Sequence, residues 1–282
     1  MIPTSQRRRN LRHAVRRATA ASGARCTAWT TFILGALAGV AGLFPLPAAA
    51  AELALLSAGA VQPGVELVVA PYQGATGDRV RITYATAPQI EEWLARGERF
   101  DVVIAPVQVI DAAQRAGRVG PERFAVGQVG IGIAVRADAP VLPEIGTAEA
   151  VRRELLGADA VIYNRASTGV AVQGILRELG IEGEVVARSE RPLDGGAVME
   201  RLRTGHGREI GLGAITEILS FRDRGVRYVG PLPPQLQRFT VYAAALPVAA
   251  PQPEAARRLY AHIATAASRA SFAAAGVDPP PP

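Results

Sequence analysis

The chain has 282 residues, 49% hydrophobic and 20% charged, so it can bury the core of one or two domains and is not wholly disordered. All 31 basic residues are Arg, which removes a P-loop lysine and a Schiff-base lysine. A single Cys, Cys26, removes a disulfide framework, and no Cys/His cluster has structural-zinc spacing. Seven of the Arg (Arg7, Arg8, Arg9, Arg12, Arg16, Arg17, Arg25) precede the first acid, Glu52. The body is left with 24 Arg against 25 acids, and no nucleic-acid partner is expected.

The first 51 residues read as an export signal. A basic segment ends at Arg25, an uncharged stretch has its apolar heart at Phe32–Phe44, and Pro45 and Pro47 precede Ala48–Ala51, which offer A-x-A cleavage sites. Arg7–Arg12 partly matches a twin-arginine signal, with Asn10 where an apolar residue is usual; the general secretory route is favoured. An uncleaved anchor is the alternative. Cys26 precedes the apolar run and forms no lipobox. A periplasmic location is therefore expected.

From residue 52 onward strands and helices alternate. Leu53–Ser57 is an apolar strand ending at Ala58–Gly59, and residues 60–76 read as a helix despite Pro63 and Pro71. Strand Arg79–Tyr84, helix Pro88–Arg96 closed by Gly97, strand Asp101–Ala105 and helix Val107–Ala116 closed by Gly117 follow. This βαβαβα order implies a parallel sheet covered by helices. Phe124–Val135 is a long apolar strand. Thr147–Leu156 starts on a Thr cap and reads as a helix. Then come strand Ala160–Tyr163, helix Thr168–Leu179, strand Gly183–Ala187, helix Ala197–Arg203, strand Glu209–Leu212, helix Ile215–Phe221 and strand Val226–Val229. The long strand Phe239–Leu246 and helices Pro253–Ala267 and Ser268–Ala275 complete the chain.

The runs at 124–135 and 239–246 are each long enough to pass between two sheets. The expected architecture is α/β with two lobes, each a mainly parallel sheet flanked by helices, hinged on these two crossover strands. Residues 52–130 and 243–282 form the first, discontinuous lobe and 131–242 the second. A cleft between two such lobes is a common ligand site.

Leu53–Val61 (LALLSAGAV), Thr83–Leu94 (TYATAPQIEEWL), Gly97–Ala105 (GERFDVVIA), Ile162–Leu176 (IYNRASTGVAVQGIL), Gly195–Leu202 (GGAVMERL), Glu209–Leu219 (EIGLGAITEIL) and Phe239–Ala244 (FTVYAA) together resemble the type II periplasmic solute-binding proteins. The likeness is nearest to the molybdate/tungstate-binding branch of the ABC importers. It implies a receptor that binds a small anion and hands it to an inner-membrane ABC permease. In that branch a Ser in the first strand–helix turn holds the oxyanion; the matching position here is Gly59, with Ser57 two residues earlier. A second Ser corresponds to Ala87, beside Thr86. Helix N-terminal N–H groups correspond to Thr168–Gly169, and a Tyr on a late strand falls at Ala214, just before Thr216 and Glu217. Two hydroxyls and the Tyr are thus replaced.

The same turns make physical sense alone. Helix N-termini offer unpaired N–H groups and a partial positive charge. Gly59, Ala87, Gly169 and Gly195–Gly196 let a ligand approach the backbone, and Ser57, Thr86, Ser167 and Thr168 are neutral donors. Each also reads simply as a helix start or cap. For a carboxylate ligand Arg165 adds a bidentate contact; otherwise it is a surface charge. His206 and His262 lack motif partners, Glu91–Glu92 and Glu217 offer carboxylates but adjacent Glu residues on a helix point in different directions, and no nucleophile elbow, H-E-x-x-H or P-loop occurs. The sequence therefore predicts a monomeric binding protein, not an enzyme, without cofactor or resident metal. Its ligand is a molybdate-like oxyanion or a small carboxylate or other organic solute. It serves import or, alternatively, a sensor.

Overall fold

The computed structural model describes residues 50–281, so the proposed signal segment lies almost wholly outside the described residues. Strand β1 (Glu52–Ala58) is buried along most of its length and leads through a 3-10 turn at Gly59–Val61 into α1 (Gln62–Thr76). Pro63 sits in the first helical turn, where a missing N–H is harmless. Pro71 leaves the carbonyl of Leu67 without its donor, and Leu67 is on the exposed face, where water can serve it. Gly77 ends the helix at φ 75°, a left-handed conformation that favours Gly. β2 (Arg79–Ala85), α2 (Ala87–Arg96), β3 (Val102–Pro106) and α3 (Val107–Arg115) follow, and both β2 and β3 pair parallel to β1.

β4 (Val119–Arg136) is the longest strand and serves two sheets. Up to Gly130 it pairs antiparallel with β9 (Phe239–Pro247), which itself pairs antiparallel with β3. From Ile131 it pairs antiparallel with β7 (Glu209–Ala214) and from Gly132 with β8 (Val226–Pro231). Between these lie α4 (Ala148–Leu156), β5 (Ala160–Ile162), α5 (Ser167–Glu178), α6 (Glu182–Val186), β6 (Ser189–Glu190), α7 (Gly195–Arg203) and α8 (Ile215–Leu219). β5 pairs parallel with β6 and β7. The strands run β2-β1-β3-β9-β4-β7-β5-β6, with β8 on the other edge of β4. The second sheet lies between two apolar clusters, one around Leu155, Tyr163 and Leu176 and the other around Met199, Leu202 and Ile218. α9 (Pro253–Ile263) and α10 (Ala266–Ala274) return to the first sheet, where Phe272 is fully buried against Gly64. This is the two-lobe α/β architecture that the sequence predicts.

One expected element is different. Residues 183–187, read as a strand, are the helical turn α6, with Glu182 and Glu184 in its first turn and Val185 N–H bonded to Ile181 O. Only Val185 is buried; Val186 is exposed, so the two valines do not form a strand core. The strand comes a few residues later, as the two-residue edge β6.

Asp101 fastens the first lobe. It is buried, and its two carboxylate oxygens accept the backbone N–H groups of Ala54 and Gln252, each at 2.8 Å. It thereby joins β1 to the start of α9. Asp101→Ala strands both donors, at about 1–3 kcal/mol each. Chemical denaturation of this variant is expected to show roughly 3 kcal/mol less stability, with Asp101→Asn losing about half as much because it keeps one acceptor.

Candidate functional site

A cavity of 550 Å³ opens where the loops after β1, β2, β5, β6 and β7 converge. From the first lobe come Gly59 and Ala60 after β1, and Thr86 and Ala87 after β2. Gln62 and Glu66 of α1 and Tyr84 of β2 add polar groups to the same side. Thr86 accepts the Gln89 backbone N–H, while Gln89 Oε1 accepts the Thr86 N–H at 2.9 Å, which is a capping box. The hydroxyl of Thr86 is therefore engaged by its own helix.

The facing wall begins at the N-terminus of α5. Asn164 Oδ1 accepts the N–H groups of Ala166 at 3.0 Å and Gly169 at 2.8 Å, which sets the first turn of the helix. Ser167 and Thr168, between those two anchored residues, line the cavity. Their N–H groups are of the kind that a helix cannot satisfy internally. Next to them are Asp194 and Gly195. Asp194 caps α7 through Ala197 N–H at 2.8 Å.

Glu217 of α8 also lines the cavity. Its Oε2 is sealed from solvent and has no hydrogen-bond partner among the described residues. It fits because residue 195 is Gly, while position 59 is at ordinary van der Waals distance. A Cβ on Gly195 would stand 1.9 Å from Oε2, and one on Gly59 would stand 3.6 Å from Oε1. Burial, and secondarily the negative charge of Asp194, push the carboxyl up to about 7, against the opposing pull of the Ala214 N–H. Tyr242 of β9 approaches from the other side. It is buried, its hydroxyl lies within reach of Ser167 and Thr240, and burial together with the Glu217 charge pushes its ionisation up. Tyr84 is raised in the same way, by burial and then by Glu66. Arg224 is the one guanidinium on this wall among the described residues. It is exposed, stacks 4.1 Å over Phe221 and faces Glu200.

Of the residues that the sequence singles out, Gly59, Thr86, Ala87, Ser167, Thr168 and Gly195 share this one cavity. Five others stand elsewhere. Ser57 is fully buried in β1, its hydroxyl donating to Ala58 O. Gly169 lies behind the wall against Asn164. Ala214 is buried at the end of β7, one strand residue before α8. Thr216 is fully buried, and its hydroxyl donates to Ala60 O, a bond from α8 to the turn after β1. Arg165 is a surface residue whose Nε donates to Arg191 O at 2.8 Å.

Tyr242, Asn164, Asp194 and the placement of Glu217 are not visible in the sequence reading. The nearest signal is the Tyr of FTVYAA, legible as part of a strand and not as a site residue. No group of three or more His, Cys, Asp or Glu able to hold a metal occurs among the described residues, and no helix there is long and apolar enough to cross a membrane.

The fold and site can be set beside known proteins. The periplasmic molybdate-binding protein of Azotobacter vinelandii superposes with a TM-score of 0.69 at 17% identity, covering 82% of this chain and 100% of that one. The sulfate-binding protein SubI of Mycobacterium tuberculosis H37Rv gives 0.65 at 17% identity, covering 81% and 87%. At this identity the likeness is one of fold. A closer relative in sequence is the Aconitate isomerase of a Pseudomonas species, 30% identical over 268 residues, 89% of this chain and 97% of that protein. The sequence model of the bacterial extracellular solute-binding proteins matches residues 53–278. With that match spanning both lobes and the cavity between them, the chain belongs to the bacterial extracellular solute-binding proteins.

Proposed function

We propose that the cleft binds a small carboxylic acid with more than one carboxyl group, and that the protein delivers it in the periplasm to an inner-membrane ABC permease. The observation that carries this reading is the cavity itself. Its 550 Å³ falls within the roughly 300–1,000 Å³ of ordinary small-molecule sites, and one centre with four oxygens would leave most of it empty. The α5 N-terminus suits one ligand carboxylate, held by the Ser167 and Thr168 N–H groups. Glu217, carrying its proton, is a donor to a second. Gly59, Ala87 and Gly195 give the ligand backbone-close walls. The relative named Aconitate isomerase supports an acid of the tricarboxylic kind.

The lobes, 52–130 with 243–282 and 131–242, close on the ligand by rocking about β4 and β9. The basic and apolar N-terminal sequence supports export by the general secretory route, with removal of the segment before residue 52. A second reading is a molybdate-like oxyanion. The Ser167 hydroxyl and the α5 N-terminus favour it, since neutral donors can hold a desolvated anion.

Thermal unfolding of the full chain against a panel tests both. The panel contains cis- and trans-aconitate, citrate, succinate, molybdate, tungstate, sulfate, and neutral amino acids as controls. A bound ligand at about 100 times its Kd is expected to add roughly 2.7 kcal/mol. A shift with the polycarboxylates and none with the oxyanions is expected. A shift with molybdate or tungstate alone overturns the carboxylic-acid reading.

A further inference from the structure

A receptor that only holds a polyanion can use one protonated carboxyl as a donor, but it does not need two carboxyl groups side by side. Yet Glu217 lines this cavity near the carboxylate of Asp194, with one oxygen that bonds to nothing among the described residues. Gly195 makes room for it, since a Cβ there would collide with the carboxyl. Asp194 of the α7 cap and Tyr242 of β9 interact with it, while Glu66 of α1, Tyr84 of β2 and Arg224 beyond α8 line the same cavity, with Arg224 turned toward Glu200. No base other than a carboxylate lines the cavity among the described residues.

We propose that Glu217 moves a proton on the bound acid, so that the cleft isomerises an unsaturated carboxylic acid as well as holding it. This rests on the carboxylic-acid reading above. As carboxylate, Glu217 takes a proton from the carbon next to a ligand carboxyl group. The C–H bond breaks, its electron pair spreads through the adjoining double bond onto the ligand carboxylate oxygens, and an O–H bond forms on Glu217. The Glu217 O–H exchanges its proton with solvent and gives one to the far carbon of that allylic system, the double bond moves by one position, and Glu217 is a carboxylate again. Nothing is oxidised or reduced, and no co-reactant is needed.

The surroundings fit each part of the step. The charge that builds on the ligand oxygens meets the Ser167 and Thr168 N–H groups at the α5 N-terminus, fixed in advance by Asn164. The Tyr242 hydroxyl, buried next to Ser167 and held in its neutral form, is a further donor. A carboxyl that titrates at about 7 is matched to giving and taking a proton near neutral pH. A carboxyl at its ordinary value would be a far weaker base.

The test is proton exchange on a bound probe. The full chain is incubated with saturating cis-aconitate or trans-aconitate in deuterated buffer, and NMR follows deuterium entering the probe and the other isomer appearing. Wild type is expected to do both, at a rate that rises with pH and levels off above about 7. Glu217→Gln, read at saturation so that affinity does not enter, is expected to be slower by about a hundredfold or more. Wild type stabilised by aconitate yet inert to exchange overturns the inference and leaves the binding reading standing. Glu217→Gln exchanging at the wild-type rate, or a wild-type rate that is flat with pH, also overturns it. Wild type that no carboxylic acid stabilises overturns the reading on which it rests.

Discussion

Gly169→Ala is expected to lower the unfolding free energy by about 4 kcal/mol and to abolish stabilisation by ligand. The added Cβ would lie 1.7 Å from the carbonyl oxygen of Asn164 and 2.7 Å from its carbonyl carbon. Both are backbone atoms, so no side chain can swing away, and the first turn of α5 must withdraw from the loop after β5. That withdrawal breaks the bonds from the Ala166 and Gly169 N–H groups to Asn164 Oδ1. Overpacking contributes about 1–3 kcal/mol and the lost bonds a similar amount. The ligand is affected because the same turn carries Ser167 and Thr168. Gly174, in the same helix, is the matched control. A Cβ there meets nothing within 4 Å, so Gly174→Ala is expected to stabilise by about 0.5–1 kcal/mol through helix propensity. Urea denaturation of the two variants separates them, and similar losses in both would show that the Asn164 contact is not what holds the turn.

Gly169 also shows how the sequence does and does not disclose a site. The segment IYNRASTG is legible as a strand, a turn and a helix start, and the turn does face the cavity. What the segment conceals is division of labour. Asn164 and Gly169 build the turn, whereas Ser167 and Thr168 present it. Helix ends are legible for a local reason: Gly97, Gly117 and Gly180 take left-handed φ values of 78°, 68° and 68° just past α2, α3 and α5. At 183–187 local pattern fails, because two adjacent valines with flanking small residues fit a buried strand or one helical turn equally well. The bond from Val185 to Ile181 decides for the turn.

Glu217 illustrates a deeper limit. In sequence it is one acidic residue on a short helix, and such residues are usually solvated. Its place is made by Gly195, 22 residues earlier, which does not signal a carboxyl. Tyr242 is hidden in the same way. Its strand is legible, but β9 comes to lie between β3 and β4 only because the chain returns from the second lobe.

The buried carboxyl makes a second large prediction, on stability against pH. Folding raises the Glu217 pKa from an ordinary value near 4.5 to about 7, so the folded state binds a proton that the unfolded chain gives up. The sign follows: this contribution is complete below about pH 4.5 and disappears as pH rises through about 7. Its size is about 3 kcal/mol, at 1.36 kcal/mol per pKa unit. Ligand-free wild type is therefore expected to lose about that much stability between pH 4.5 and 8 relative to Glu217→Gln, which carries no titrating group. Asp194→Asn divides the cause. Asn caps a helix about as well as Asp, so α7 keeps its start while the negative charge beside Glu217 disappears. Because burial is the larger cause and Asp194 the smaller, this variant is expected to shrink the pH-dependent loss without removing it. Equal pH profiles for wild type and Glu217→Gln would show that the carboxyl is solvated in the free protein. A profile flattened completely by Asp194→Asn would show that the neighbouring charge outweighs burial.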